Sequence, residues 1–310
     1  MRSARTAAVH APRAAAGKLS RRDVLNWVVM GAGAAAVGAE DVLAYDGAAQ
    51  PSTREPAAIR GQNYRLVQNW DFASTITDVA ALREAFHTRY IYANGTLDTL
   101  NDEWQRYRDH DNHVIRDGVL ALVARAPGEL APGKIESGML RSKWYGKYGY
   151  FECRMKVPAG RGMWPAFWLN PQDMTWPPEI DIVEIVANGR DSSANSFHFV
   201  HGREAAQARV RSSRLGADKS YRPGFDFADG FHSFAVEWTP RGVRHWVDDV
   251  LVVDREFAWR HDDGRDGGPV HVLLNLAVGG KWPGPPLGRD QFPARLEVAH
   301  IRVWQVEAGA

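Results

Sequence analysis

Trp176-Pro177-Pro178-Glu179-Ile180-Asp181-Ile182-Val183-Glu184-Ile185-Val186 sets three carboxylates within six residues, separated only by Ile and Val. β-Branched residues favour the pleated backbone of a strand, and the Pro pair marks where that strand begins. Side chains alternate faces along a strand, so Glu179 and Asp181 share one face and Ile180 and Ile182 the other. Glu184 breaks the parity, because its odd offset from Asp181 turns it toward the aliphatic face. An ionised Glu among aliphatics is too costly without a compensating partner. One extra residue at Ile182-Val183, a β-bulge, returns Glu184 to the face of the other two acids. Bulges recur beside active sites because they re-aim side chains. The expectation is a row of three acids on one face of a bulged strand.

Such a row admits three readings. Two carboxyls about 5–5.5 Å apart are the machinery of a retaining glycosidase, one as nucleophile and one as acid/base. A solvated edge-strand face carries the same residues with no chemistry. Acids at this spacing also hold Ca²⁺. Spacing alone does not choose between them.

Composition narrows the field. The chain has 310 residues and a formal net charge of +1, so no strong field argues for nucleic acid or an anionic membrane. Twelve Trp and nine Tyr are a large aromatic complement, suited to core packing and to platforms for the apolar faces of sugar rings. The single cysteine, Cys153, excludes an intramolecular disulfide framework. It alternates with Phe151 and Met155 and reads as buried and inert.

Residues 1–44 read as a targeting segment. Ser20-Arg21-Arg22-Asp23-Val24-Leu25 resembles the twin-arginine export signal, and the apolar run from Trp27 to Val37 has the length of a signal h-region, too short to span a bilayer. The expected localisation is periplasmic or extracellular. Residues 45–62, rich in Ala, Pro, Ser and Gly, read as a linker, and residues 63–307 as the folded domain.

In that domain Tyr64 to Phe72 reads as a strand and Val79 to Phe86 as a short helix capped by Asp78. Gly118 to Ala124 is an apolar strand after an Asp-Gly turn. Phe151 to Val157 alternates apolar and polar, as a half-buried antiparallel strand does. Residues 202–222 read as a long polar surface loop. Phe231–Trp238 and Val243–Val247 form a hairpin around Thr239-Pro240-Arg241-Gly242. About a dozen short strands with turn signals between them give an all-β fold, a β-sandwich of two antiparallel sheets.

Six collinear blocks carry a resemblance: Ser137-Gly138-Met139-Leu140-Arg141, Tyr148 to Arg154, Gly162-Met163-Trp164-Pro165-Ala166-Phe167-Trp168, the acid strand, Phe234 to Thr239, and Asn275 to Pro283. Together they resemble glycoside hydrolase family 16. The resemblance implies a β-jelly roll with a substrate cleft on its concave face and a retaining mechanism. Glu179 matches the nucleophile, Glu184 the acid/base and Asp181 the auxiliary acid. Close to two Glu carboxyls, Asp181 makes joint ionisation costly, so the cluster shares protons. The extra residue before Glu184 matches the family's bulged branch. Asn275 to Pro283 is similar to its laminarinase-like branch, which implies a β-1,3-glucan substrate.

The same resemblance assigns Trp176, Arg141, His198, Trp164, Asn275 and Trp282 to substrate binding, while Trp168 and Trp238 read as core. Many relatives hold a structural Ca²⁺ with an acid in the final strand. Here the expected Asp falls at Ala299, and Asp71-Phe72 lacks an adjacent Glu. A hard cation needs six or more oxygens. The expectation is therefore no cofactor and no metal, and a monomer whose partner is its polysaccharide, without nucleic acid or membrane span. The alternatives are the same fold acting on mixed-linkage glucan, galactan or a bacterial exopolysaccharide, a transglycosylase with the same residues, and a carbohydrate-binding jelly roll without catalysis, which has no need of both Glu179 and Glu184.

Overall fold

A computed structural model describes residues 55–90, 97–186, 196–202 and 208–307. The expected export signal, most of the linker, and the side chain of His198 lie outside the described residues. In chain order the elements are β1 (Tyr64–Asp71), α1 (Val79–Ala85), β2 (Phe86–His87), β3 (Gln105–Tyr107), β4 (His113–Arg116), β5 (Val119–Ala124), β6 (Ile135–Ser137), β7 (Met139–Ser142), β8 (Gly149–Lys156) and β9 (Met163–Pro171). They continue as β10 (Glu179–Ile185), β11 (Ser196–His201), β12 (Val210–Ser213), β13 (His232–Thr239), β14 (Gly242–Val247), β15 (Val250–Arg255), β16 (Val270–Val278) and β17 (Ala294–Val306).

The strands form two large antiparallel sheets. One has the order β12-β15-β14-β13-β8-β17-β5-β4, with β1 also paired to β17. The other is six-stranded, β11-β10-β9-β16-β7-β2. Alternation supplies the core between them: Phe151, Met155, Phe234, Val236 and Leu296 from the first sheet cluster with Phe167, Leu169, Ile180, Leu274 and Leu276 from the second. Cys153 is buried within this cluster, as its alternation implies.

Local signals are realised where turn or cap chemistry is explicit. Asp78 Oδ1 accepts from Ala81 N at 2.8 Å and starts α1. Asp117 and Gly118 both take positive φ, 52° and 77°, closing the β4–β5 hairpin. Asp248 and Asp249 do the same between β14 and β15, at 46° and 64°.

Two boundaries differ from the sequence reading. Residues 202–222 are not all loop, because Val210–Ser213 pairs with β15 as an edge strand. All four of its residues are exposed, so it has no apolar face for periodicity to detect. Ile59, in the stretch read as linker, is fully buried with Tyr150, Ala235 and Trp304, so packed residues reach upstream of β1.

Candidate active site

The bulge lies in β10. Ladder partners run Ile180↔Leu169, Asp181↔Trp168, then Val183↔Phe167 and Glu184↔Ala166, leaving Ile182 as the extra residue. Ile180, Ile182, Val183 and Ile185 all join the core, and Asp181 and Glu184 lie on the outer face. The distortion is pinned from the opposite sheet. His245 of β14 is fully buried and places Nε2 3.1 Å from the Asp181 carbonyl oxygen. A carbonyl only accepts, so Nε2 carries the hydrogen.

Glu179, Asp181 and Glu184 line one hollow of about 560 Å³ with Trp164, Trp168 and Trp176. Asp181 is 4% exposed and Glu184 9%. Burial pushes the carboxyls of Glu179 and Glu184 well above the usual range, and the neighbouring Asp181 pushes both further. Burial raises Asp181 as well. Three crowded carboxyls out of water cannot all be ionised, so the cluster holds protons near neutral pH.

Two contacts differentiate the acids. Trp164 Nε1 donates to Glu184 Oε1 at 3.0 Å. His201 Nε2 stands 3.0 Å from Asp181 Oδ2 and 3.8 Å from Glu179 Oε1. Attraction to His201 and a hydrogen bond from Trp176 pull Glu179 back toward ionisation. Glu179, Asp181 and His201 present ligand atoms within 4.8 Å of one another, a spacing that also suits a metal ion. That cluster belongs to the same acids, so any ion there competes with their proton chemistry.

The expected binding residues divide by position. Trp176 is 57% exposed at the rim, its ring 6.2 Å from that of His201. Trp282, 36% exposed, meets Trp164 edge-on at 4.9 Å. Trp164 itself is buried with its N–H given to Glu184, so it orients the acid rather than presenting a free face. Asn275 lies in the floor with its amide engaged: Oδ1 accepts from Trp168 Nε1 at 2.8 Å and Nδ2 donates to the Tyr107 hydroxyl at 3.1 Å. Arg141 is on the same face but distant. The ladder places Asp181, Trp168, Leu273 and Arg141 in one row across β10, β9, β16 and β7. His198 lies on β11 between the partners of Asp181 and Glu184.

Three site residues escape the sequence reading. His201 pairs directly with Glu179 across the β10–β11 ladder, a register visible only once the strands are aligned. Trp168, read as core, is buried but on the cleft face, because it is the ladder partner of Asp181. Trp238 is core as expected. Glu103, in the segment before β3, lines the acid end of the cleft; burial pushes its carboxyl up to about 7. Its proximity to Trp164 and Glu184 joins residues about sixty and eighty positions apart in sequence, which spacing does not reveal.

Asp71, at the place considered for a structural Ca²⁺, has its own protein partners. Asp71 Oδ1 accepts from Ala73 N and Ser74 Oγ at 3.0 and 2.9 Å, and Oδ2 from Arg302 at 3.0 Å. The Asp71 oxygens are committed, and a guanidinium stands beside them, so these residues do not fit a hard cation.

The comparisons agree with this geometry. The family model for glycosyl hydrolases family 16 matches residues 101–293. The chain is 35% identical over 226 residues to a beta-glucanase of Rhodothermus marinus, covering 66% of this chain and 75% of that protein. It is 32% identical over 217 residues to endo-1,3-1,4-beta-glycanase EglC of Rhizobium meliloti, covering 67% of this chain but only 43% of that longer protein. Among solved structures, the laminarinase catalytic domain of Thermotoga maritima superposes with a TM-score of 0.60 at 26% identity, over 79% of this chain and 99% of that one. These matches span the acid strand, its bulge and both sheets, and the chain belongs to glycoside hydrolase family 16.

Proposed function

We propose that the chain is a retaining endo-glycoside hydrolase acting on a β-linked glucan, with β-1,3-glucan as its principal substrate. The observation that carries this reading is the buried acid triad, on one face of a bulged strand at the floor of a Trp-lined cleft. Glu179 is the nucleophile: its carboxylate oxygen attacks the anomeric carbon as the glycosidic C–O bond breaks. Glu184 gives its proton to the leaving oxygen. In the second step Glu184 takes a proton from water, whose oxygen bonds to the anomeric carbon and releases the Glu179 carboxylate. The raised affinity of Glu184 for its proton suits the acid role, and His201 and Trp176 favour the ionised form of Glu179. Asp181 sits between them and takes part in the shared proton count.

The substrate reading draws on the printed activities of the relatives, a beta-glucanase, an endo-1,3-1,4-beta-glycanase and laminarinases. Export through the twin-arginine signal and a periplasmic or extracellular location belong to the same proposal, supported by the motif at Ser20–Leu25. Among the described residues no helix is long and apolar enough to cross a membrane. The test is product analysis on laminarin, mixed-linkage glucan and agarose, with Glu179→Gln and Glu184→Gln as controls. The proposal expects internal cleavage of laminarin that either substitution lowers by about a thousandfold or more. Cleavage of none of these polymers by the parent, or full activity in either variant, would overturn it.

A further inference from the structure

The row that begins at Asp181 ends in a cluster of basic side chains. Beyond Arg141 the ladder adds His87 of β2. Around these two lies a hollow of about 230 Å³, lined also by Arg83, Arg89 and Lys143. One acid, Asp109, shares it. Asp109 is already engaged: its carboxylate pairs with Arg89 at 3.3 Å and accepts from the Thr88 hydroxyl. Arg141 is different. It is only 7% exposed, and its Nε reaches the Arg89 carbonyl at 3.5 Å, the outer limit of a hydrogen bond. No carboxylate among the described residues lies within ion-pair distance of it. A guanidinium taken out of water without a counter-ion is an uncommon and costly arrangement. Burial lowers its proton affinity, and the positive field of Arg141 and Lys143 adds to burial in lowering that of His87.

The hollow lies on the sugar-facing side of the sheet. Strands are about 4.8 Å apart, so three ladder steps put Arg141 roughly 14 Å from the acids. A sugar chain crossing the sheet from the cleavage point therefore reaches it several rings away. An aromatic ring marks the approach: Tyr145 is 51% exposed and packs edge-on against His271, 6.5 Å away. His271 shares the outward parity of Leu273 on β16.

We propose that Arg141, with His87, Lys143 and Arg89, forms a distal subsite for an anionic substituent of the polysaccharide, a carboxylate or a sulfate ester. Its planar fork suits bidentate pairing with either oxyanion. Within the β-glucans, the preferred substrate is then a chain bearing acidic groups over the neutral chain of the same linkage. This rests on the hydrolase reading above.

The test compares kcat/KM for neutral laminarihexaose with hexaoses bearing one terminal glucuronic acid, at either end, or one terminal glucose 6-sulfate. The proposal expects one acidic hexaose to be preferred over the neutral one by about tenfold at low salt, the scale of one charge-assisted bond. That ratio should shrink in high salt. Arg141→Met should bring it to near one, Arg141→Lys should keep part of it, and Lys143→Ser, an exposed position, should reduce it without touching the buried core. Which acidic hexaose wins tells a carboxylate from a sulfate ligand. A parent ratio near one for every acidic hexaose, or a ratio unmoved by Arg141→Met, would overturn the subsite while leaving the hydrolase reading standing. No cleavage of any hexaose by the parent would instead remove the hydrolase reading on which the subsite rests.

Discussion

His245 reaches across the sandwich from β14 and donates Nε2–H to the Asp181 carbonyl oxygen at 3.1 Å. A bulge leaves backbone groups without ladder partners, and a buried orphan costs about 1–3 kcal/mol. The imidazole therefore fixes the kink that aims Glu184. His245→Leu fills similar space but donates nothing. It is expected to lower stability by about 1–3 kcal/mol and kcat by tenfold or more, read by denaturant unfolding and laminarin hydrolysis. Loss of stability with unchanged kcat would separate the bond from the aiming of the acid.

Trp164 Nε1 holds Glu184 Oε1 at 3.0 Å, and His201 Nε2 stands 3.0 Å from Asp181. These neighbours act on opposite limbs of the pH profile. A donor to a carboxylate stabilises its ionised form, so Trp164→Phe raises the Glu184 pKa. The acid form then persists to higher pH, and the alkaline limb of kcat/KM moves up. His201→Leu removes an attraction that favours ionised Glu179, so the acid limb moves up instead. Trp164→Phe should also cost about 10–100-fold in kcat through loss of positioning. Unshifted limbs in both variants would contradict these assignments.

The raised carboxyls make stability depend on pH. Burial holds the Glu179 and Glu184 pKa values above their unfolded value of about 4.3. Their contribution is thus fully present below about pH 4 and is lost as pH rises toward the folded values. Glu179→Gln and Glu184→Gln lack that loss. Each variant should gain Tm relative to the parent as pH rises from 4 to 8, by about 2–4 °C per kcal/mol. A constant difference across that range would mean that the carboxyls titrate alike in folded and unfolded chains.

Asp71 and Arg302 form an ion pair at 3.0 Å, with both side chains almost wholly buried. Removing one partner strands the other's charge. Arg302→Met should lower stability by about 3–5 kcal/mol. A chelator should leave the parent's Tm unmoved, because the Asp71 oxygens already have protein donors. A chelator-induced fall of many degrees would locate a structural cation after all.

The legible parts of the chain are those whose signal is local. Parity around Glu179, Asp181 and Glu184 locates the bulge to the residue, and Asp78 and Asp117-Gly118 mark a cap and a turn. What stays hidden depends on alignment between strands. His201 becomes a neighbour of Glu179 only through the register of the β10–β11 ladder. Trp168 reads as core because it is apolar and buried, yet its face is decided by pairing with Asp181. The edge strand Val210–Ser213 has no apolar stripe to read. Arg141 carries a family match, but only the four-strand row shows how far it stands from the acids.

Ile182 gives β10 an unusual tolerance to a change in length. Loss of one residue from an ordinary strand turns every later side chain to the opposite face. Here Ile182 and Val183 share the inward direction, so removing Ile182 leaves strict alternation: Glu179, Asp181 and Glu184 still face outward, and Ile185 still faces inward. The inward and outward pattern would be conserved at the cost of one buried Ile side chain, while Glu184 would move about one residue rise, some 3.3 Å, along the strand toward Glu179. The distance between attacking and protonating groups is thus set by chain length at a single position, and can change without turning any other side chain of the strand to the opposite face.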